Sequence, residues 1–369
     1  MQKREKLKQA AIGPAPKIVL KASIAAGLLA AASSAFAQSN VQLYGEVDEW
    51  LGAQQFPSSQ RSWQVSGGGM DTSYWGMKGT EDMGGGYKAV FKLESFLRAE
   101  SGQYGRFQGD TFFARNAYVG VESPYGTVTA GRLTPPLFIS TILFNPFVGS
   151  YVFSPMIAHV YLGLGTGPSY LTDQGVTGDS GWNNAVQYST PDFNGMSGNV
   201  MYALGNSASQ NGAKKWSAQF LYFHGPFAAT GVYQYVNFNS APGDLGSSNP
   251  FNPVPFTSQS VGQLGLSYNL KYVKVFGQYM YTYNDRQEAS WHVNTVQGGI
   301  SVPAGPGSIL ASYAYSRDGG GLDQTRQTWS FGYDYPLSKH TDIYAAFMND
   351  HISGESTGET YGAGIRTTF

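Results

Sequence analysis

Sixteen stretches of this chain alternate apolar and polar residues with a period of two, and none of them carries helical spacing. That period puts every second side chain on the same face of an extended strand. Trp329, Phe331, Tyr333 and Tyr335 share one face against Thr328, Ser330, Gly332 and Asp334. Val273, Val275, Tyr279, Tyr281 and Tyr283 oppose Lys274, Gln278 and Thr282. Tyr361, Ala363, Ile365, Thr367 and Phe369 oppose Gly362, Gly364, Arg366 and Thr368, and the alternation stops on the aromatic Phe369.

The alternation predicts strands over 41–54, 73–81, 87–98, 112–122, 126–132, 182–189, 197–205, 216–223, 227–238, 259–268, 272–283, 293–302, 308–316, 326–335, 342–349 and 360–369. Seven short connectors alternate with eight long ones, which leaves both termini on the short-turn side. A secreted β-sandwich has the same period, with one face packing a core. Tyr and Trp cluster toward the strand ends, however, as they do in the aromatic belts of a membrane barrel. No apolar run after residue 37 approaches the roughly 18–20 residues of a spanning helix. Only a closed barrel remains for insertion, because it alone satisfies every backbone group without helices.

The N-terminus reads as an export signal. Lys3, Arg4, Lys6, Lys8, Lys17 and Lys21 precede the apolar run Ile24 to Ala32, and Ala35-Phe36-Ala37 is an A-x-A cleavage site. Residues 1–37 are therefore expected to be removed after Ala37, and the mature chain 38–369 to begin at Gln38. Removal takes away six of 23 basic side chains but only one of 24 acids, Glu5, so the mature chain is acidic and a poor partner for nucleic acid. With no cysteine, it relies on no disulfide.

Catalytic signals are weak. Asp350-His351, and Asp285 with His292, pair an acid with a histidine in polar loops, where solvated surface is the ordinary explanation. No nucleophile is placed beside a base, and no His or carboxylate cluster has metal-ligand spacing. Gly163-Leu164-Gly165-Thr166-Gly167 follows no predicted strand and precedes no helix, so it fails as a phosphate loop. No enzyme, cofactor or metal is expected.

Several motifs, in order along the chain, resemble the Gram-negative general porins. Gln38-Ser39-Asn40-Val41-Gln42-Leu43-Tyr44-Gly45 resembles their mature start, and Trp75-Gly76-Met77-Lys78-Gly79-Thr80-Glu81-Asp82 their first hairpin. Arg115-Asn116-Ala117-Tyr118-Val119-Gly120-Val121 and Tyr125-Gly126-Thr127-Val128-Thr129-Ala130-Gly131-Arg132 are similar to their fourth and fifth strands. Gly332 to Thr341 resembles their penultimate turn, and Gly364-Ile365-Arg366-Thr367-Thr368-Phe369 their last strand. The resemblance implies an all-β, sixteen-stranded antiparallel transmembrane barrel. It also implies a homotrimer in the outer membrane, in contact with lipid and lipopolysaccharide. The third loop, 133–181, would fold into the lumen as the constriction, and Phe369 would be read by the barrel-assembly machinery.

The departures concern selectivity. Tyr74 stands where the family usually has a wall arginine, and Gly181-Trp182-Asn183-Asn184 where it usually reads Arg-x-Asn-Asn. Of three common eyelet arginines only Arg115 remains, with Lys78 inward by parity. Between Arg132 and Asp173 there is no Asp, Glu, Lys or Arg, and His159 is the one titratable side chain apart from tyrosine. The loop is rich in apolar residues, and Pro135, Pro136, Pro146 and Pro155 interrupt any helix. The expected pore-lining and constriction residues are Tyr74, Lys78, Lys92, Arg115, Arg132, Phe144, Phe147, His159, Gly181 and Trp182. A constriction with few fixed charges sorts small solutes mainly by size and wetting. The expected function is passive diffusion with weak ion selectivity. A substrate-specific or gated channel is the alternative, and a barrel-scaffold enzyme or adhesin a remote one. Glu49, on the otherwise apolar face of the first strand, is costly toward lipid.

Overall fold

A computed structural model describes residues 40–162, 180–205, 214–237, 256–286, 290–320 and 323–369. The expected signal segment and cleavage site, the glycine string at 163–167 and Asp173 lie outside the described residues.

The wall begins with β1 (Asn40–Gln54), β2 (Ser62–Gly67), β3 (Tyr74–Gly84), β4 (Tyr87–Arg98) and the two-residue β5 (Gln103–Tyr104). It continues through β6 (Asn116–Ser123) and β7 (Gly126–Leu133), then helices α1 (Pro136–Leu143) and α2 (Pro155–Val160). Next come β8 (Trp182–Ser189), β9 (Met196–Ala203), β10 (Lys215–His224), β11 (Phe227–Asn237) and β12 (Phe256–Asn269). The last six strands are β13 (Lys274–Arg286), β14 (Trp291–Ala304), β15 (Gly307–Gly319), β16 (Thr325–Pro336), β17 (Thr341–Ile352) and β18 (Gly358–Thr368).

Each wall strand pairs antiparallel with its sequence neighbour, and β18 closes on β1 from Glu46↔Thr368 to Ala53↔Tyr361. Eighteen strand segments make sixteen wall strands. β2 pairs with the second half of β1 and β3 with the first half, so they are one strand broken at 68–73. β5 folds back to pair antiparallel with the last two residues of β4 and adds no wall strand. The predicted limits 87–98 and 182–189 match β4 and β8 to the residue. β2, by contrast, lies within the stretch read as a 55–72 connector.

Burial along the strands runs opposite to that of a soluble sandwich. On β16, Thr328 and Ser330 are buried while Trp329 and Phe331 are 45% and 52% exposed. On β12, Gln259 and Gln263 are buried while Leu264 and Leu266 are exposed. The closed wall is thus apolar on one face and polar on the other. The polar face satisfies itself across strands: Gln263 donates to Gln278 at 2.7 Å, Gln278 to Gln297 at 3.1 Å, and Gln297 to Ser312 at 3.0 Å. Among the described residues no helix is long and apolar enough to cross a membrane.

The prolines that rule out a long helix start two short ones. Pro136 opens α1 and Pro155 opens α2, where the missing N–H costs nothing. Ser154 caps α2 by accepting from Ile157 N at 3.2 Å. Carbonyls at the end of α1 find donors on the wall, with Gln278 Nε2 3.1 Å from Thr141 O and 2.9 Å from Phe144 O.

Candidate functional site: the loop and the wall facing it

Phe144, Pro146 and Phe147 are seated against the polar face of the wall, at places where the wall has no side chain. A Cβ at Gly265 would lie 2.9 Å from Phe144 Cγ, one at Gly299 2.6 Å from Pro146 Cγ, and one at Gly332 3.3 Å from Phe147 Cε1. Phe144 packs with Leu221 and Ala228. Phe147 packs with Trp50, Phe153, Tyr344 and Met348. Phe144 is 1% exposed and Phe147 0%, so these two rings, expected on the pore lining, are packing elements instead. The sequence shows that they are apolar but not that glycines stand opposite them.

A polar clamp holds α2. Arg326 donates from Nε and Nη2 to Asp350 at 2.9 and 2.6 Å, and from Nη1 to Ala158 O at 2.7 Å. Thr328 donates to Asp350 Oδ1 at 2.6 Å. His159, 2% exposed, spans Ser316 Oγ at 2.5 Å and Thr328 Oγ1 at 2.8 Å. Burial holds the imidazole well below its ordinary pKa, and the Arg326 charge lowers it further against the opposing pull of Asp350. His159 is therefore a neutral strut of the clamp.

Tyr74 and Arg115 stand together on the wall. The Arg115 guanidinium lies 4.0 Å from the Tyr74 ring centroid, and its Nη1 pairs with Glu94 Oε2 at 2.7 Å. Glu94, buried on β4, also accepts from Tyr44 and from Asn116 at 2.6 Å, and Lys92 approaches at 3.9 Å. Lys78 and Lys92 are cross-strand neighbours, an unfavourable like-charge pair. Glu94 offsets the repulsion. So do the Tyr44 ring, 4.7 Å from Lys78 Nζ, and the Tyr118 ring, 5.9 Å from Lys92 Nζ. Tyr74, in place of the family's usual arginine, is thus a platform for the arginine that remains.

Arg132 does not join this row. The β7–β8 register shifts between Gly131 and Leu133, a bulge with Gly131 at φ +144°. Leu133 falls into a buried cluster with Trp182 and Met201, against which Tyr118 packs. Arg132 bonds Ala114 O at 2.5 Å, Gly181 O at 3.1 Å and Asn183 Oδ1 at 2.8 Å. A Cβ at Gly181 would lie 2.7 Å from Arg132 Nη2, so the glycine makes room for this strap. Trp182 is 1% exposed, with Lys215 Nζ 5.5 Å from its ring.

The break at 68–73 supplies groups that were not read from the sequence. Buried Asp48 accepts from Met70 N and Asp71 N, both at 2.8 Å, and from the Tyr344 hydroxyl. Ser150 at the loop tip donates to Gly69 O at 2.5 Å. Asp71 accepts from Thr72 N at 2.8 Å and lies beside Gly149. A cavity of about 280 Å³ opens between this break, Arg98, Arg106 and Arg115 on one side and Phe138, Ile139, Ile142 and Tyr151 on the other. The loop contributes no acid there, but the broken strand contributes Asp71 and the turn after β4 contributes Glu100. The one available signal in the sequence is the Gly67–Gly69 run before Asp71, which an ordinary turn explains equally well.

At the seam, Phe369 N and Gly45 N each donate to the other residue's carbonyl at 3.1 Å, and the Phe369 ring covers Gly45. Glu49 borders a groove of about 790 Å³ with Leu51, Val65, Tyr335, Ile343 and Ile365.

A closed sixteen-stranded barrel with exposed aromatics on one face and buried amides on the other defines an outer-membrane channel. The chain belongs to the Gram-negative porin family, whose model matches residues 22–355, and it is an outer-membrane porin. It is 28% identical over 340 residues to outer membrane porin protein 32 of Delftia acidovorans, covering 89% of this chain and 90% of that protein. Its fold matches the anion-selective porin from Comamonas acidovorans, with a TM-score of 0.72 and 23% identity over 90% of this chain and 100% of that one. It also matches the trimer form of OmpT of Vibrio cholerae, with a TM-score of 0.65 and 14% identity over 90% and 99% of the two chains.

Proposed function

We propose that this porin is a homotrimeric passive-diffusion channel for small solutes, with a weakly ion-selective constriction favouring neutral or partly apolar ones. Loop 133–181, folded into the lumen, forms one side of the constriction, and the Tyr74–Arg115 wall forms the other. The observation that carries this reading is the pairing of charge on that wall. Arg115 is matched by Glu94 and Arg106 by Asp110, while the loop offers Phe138, Ile139 and Ile142 across the cavity. Reversal potentials in a KCl gradient across a planar bilayer test it. Near-equal permeabilities are expected, and a strong preference for either ion would refute it.

Anion selectivity is the second reading, favoured by the row Lys78, Lys92 and Arg115 around a single Glu94. The same potentials separate the two. In this reading of the assembled porin, the export signal ends at Ala37 and the mature chain starts at Gln38. The barrel-assembly machinery engages Phe369, and lipid and lipopolysaccharide meet the exposed aromatic face. The groove beside Glu49 supports a subunit contact at the β1–β18 seam, because a carboxylate facing lipid is costly.

A further inference from the structure

The geometry points to a binding site, in the cavity beside the 68–73 break, for a small zwitterion with an apolar body. An α-amino acid with an aromatic or branched side chain is the simplest such solute. This rests on the reading of the chain as an open porin and names a solute that the pore would hold briefly.

Three features meet in this cavity. The first is cationic. Arg98 and Arg115 line it, and Arg98 Nε has no hydrogen-bond partner among the described residues. A planar guanidinium suits a carboxylate. The second is anionic. Asp71 and Glu100 line the same cavity, and Asp71 spends one oxygen on Thr72 N. The third is apolar, the edge formed by Phe138, Ile139 and Ile142. Because Glu94 already matches Arg115, a simple anion would gain Arg98 and face Asp71 and Glu100 unmatched. A simple cation would gain Asp71 and face the guanidinium groups. A solute carrying both charges next to each other satisfies both walls, and its side chain covers the apolar edge. A volume of about 280 Å³ is just below the roughly 300–1,000 Å³ usual for small-molecule sites, so it fits one small solute.

Single-channel recording on the full-length mature porin tests this, with phenylalanine, glycine, benzoate and phenethylamine added in turn. Phenylalanine should interrupt the current with dwell times about tenfold longer than glycine, benzoate or phenethylamine, since each lacks one of the three contacts. Asp71→Asn combined with Glu100→Gln should erase its advantage over benzoate, and Ile139→Ser its advantage over glycine. The asparagine amide keeps an oxygen for Thr72 N, and Ile139 is not fully buried, so neither change removes a fold contact. Equal dwell times, or longest dwell for benzoate or phenethylamine, in a channel that conducts would overturn the zwitterion site and leave the porin reading standing. Absence of conductance in the folded protein would overturn the porin reading and this site with it.

Discussion

Replacing Asp350 by asparagine removes the charge that the Arg326 side chain is arranged around. Arg326 and Asp350 side chains are 1% and 3% exposed, and the pair is joined at 2.9 and 2.6 Å. Stranding one member of such a buried pair costs about 3–5 kcal/mol, because the remaining charge stays out of water. The asparagine amide keeps one acceptor oxygen for Arg326 Nε and Thr328, but it sets an NH2 group against Arg326 Nη2 and leaves the guanidinium charge uncompensated beside His159. The cost should fall on the docking of α2 and, through three wall strands, on the barrel. Two assays divide it. The urea midpoint for unfolding in detergent reports the wall, and proteolysis of the 133–181 loop with single-channel noise reports the docking. Asp350→Asn should lower the midpoint and loosen the loop. The double variant Arg326→Met with Asp350→Leu should restore most of the midpoint, since an apolar pair of similar volume is often neutral. The loop should stay loose in that variant, because Ala158 O has lost its donor. If the double variant unfolds as readily as Asp350→Asn, the pair is not the unit described, and the reasoning fails.

Three further outcomes follow from the same geometry. Gly265→Leu would drive a side chain into the space of Phe144, an overpacking cost of about 1–3 kcal/mol that should appear as faster proteolysis of the loop; unchanged proteolysis would disprove the socket. His159 is held neutral below its usual pKa, so the undocked loop binds the proton more readily than the docked one. Its contribution to docking is therefore complete above about pH 6.5 and declines as the pH falls through that value toward the depressed docked one. Current noise rising between pH 7 and 5 in the wild type but not in His159→Gln would be the signature. Tyr74→Arg would put a second, uncompensated cation beside Arg115 and shift the KCl reversal potential toward anions. No shift would mean that this wall does not face the ion path.

The barrel was legible because the wall obeys a local rule. Period-two alternation defines β4 and β8 to the residue and leaves the others within a few. It missed β2, whose Trp63 and Val65 do alternate, because six residues before a glycine run resemble a loop. The loop was less legible. Its lack of charge was plain, but Phe144 and Phe147 looked like pore lining until Gly265 and Gly332 were found opposite them, more than a hundred residues away. Arg132 is drawn to Ala114, Gly181 and Asn183 for a local reason, since β8 carries one extra residue opposite Gly131–Leu133, where Asn184 sits at φ +53°, and nothing in the sequence marks that bulge. Asp71 escaped because it lies in a break, where alternation carries no information.

The glycine sockets bear on how such a channel can change its contents. A loop joined to the wall at Gly265, Gly299 and Gly332 is not a detachable cassette. A foreign loop grafted between Leu133 and Trp182 would bring bulk where no recess awaits it, or would leave these recesses empty. The free edge at Phe138, Ile139 and Ile142 has no such counterpart. Substitutions there would leave the frame alone, so this apolar edge of the cavity is the part of the loop most open to change.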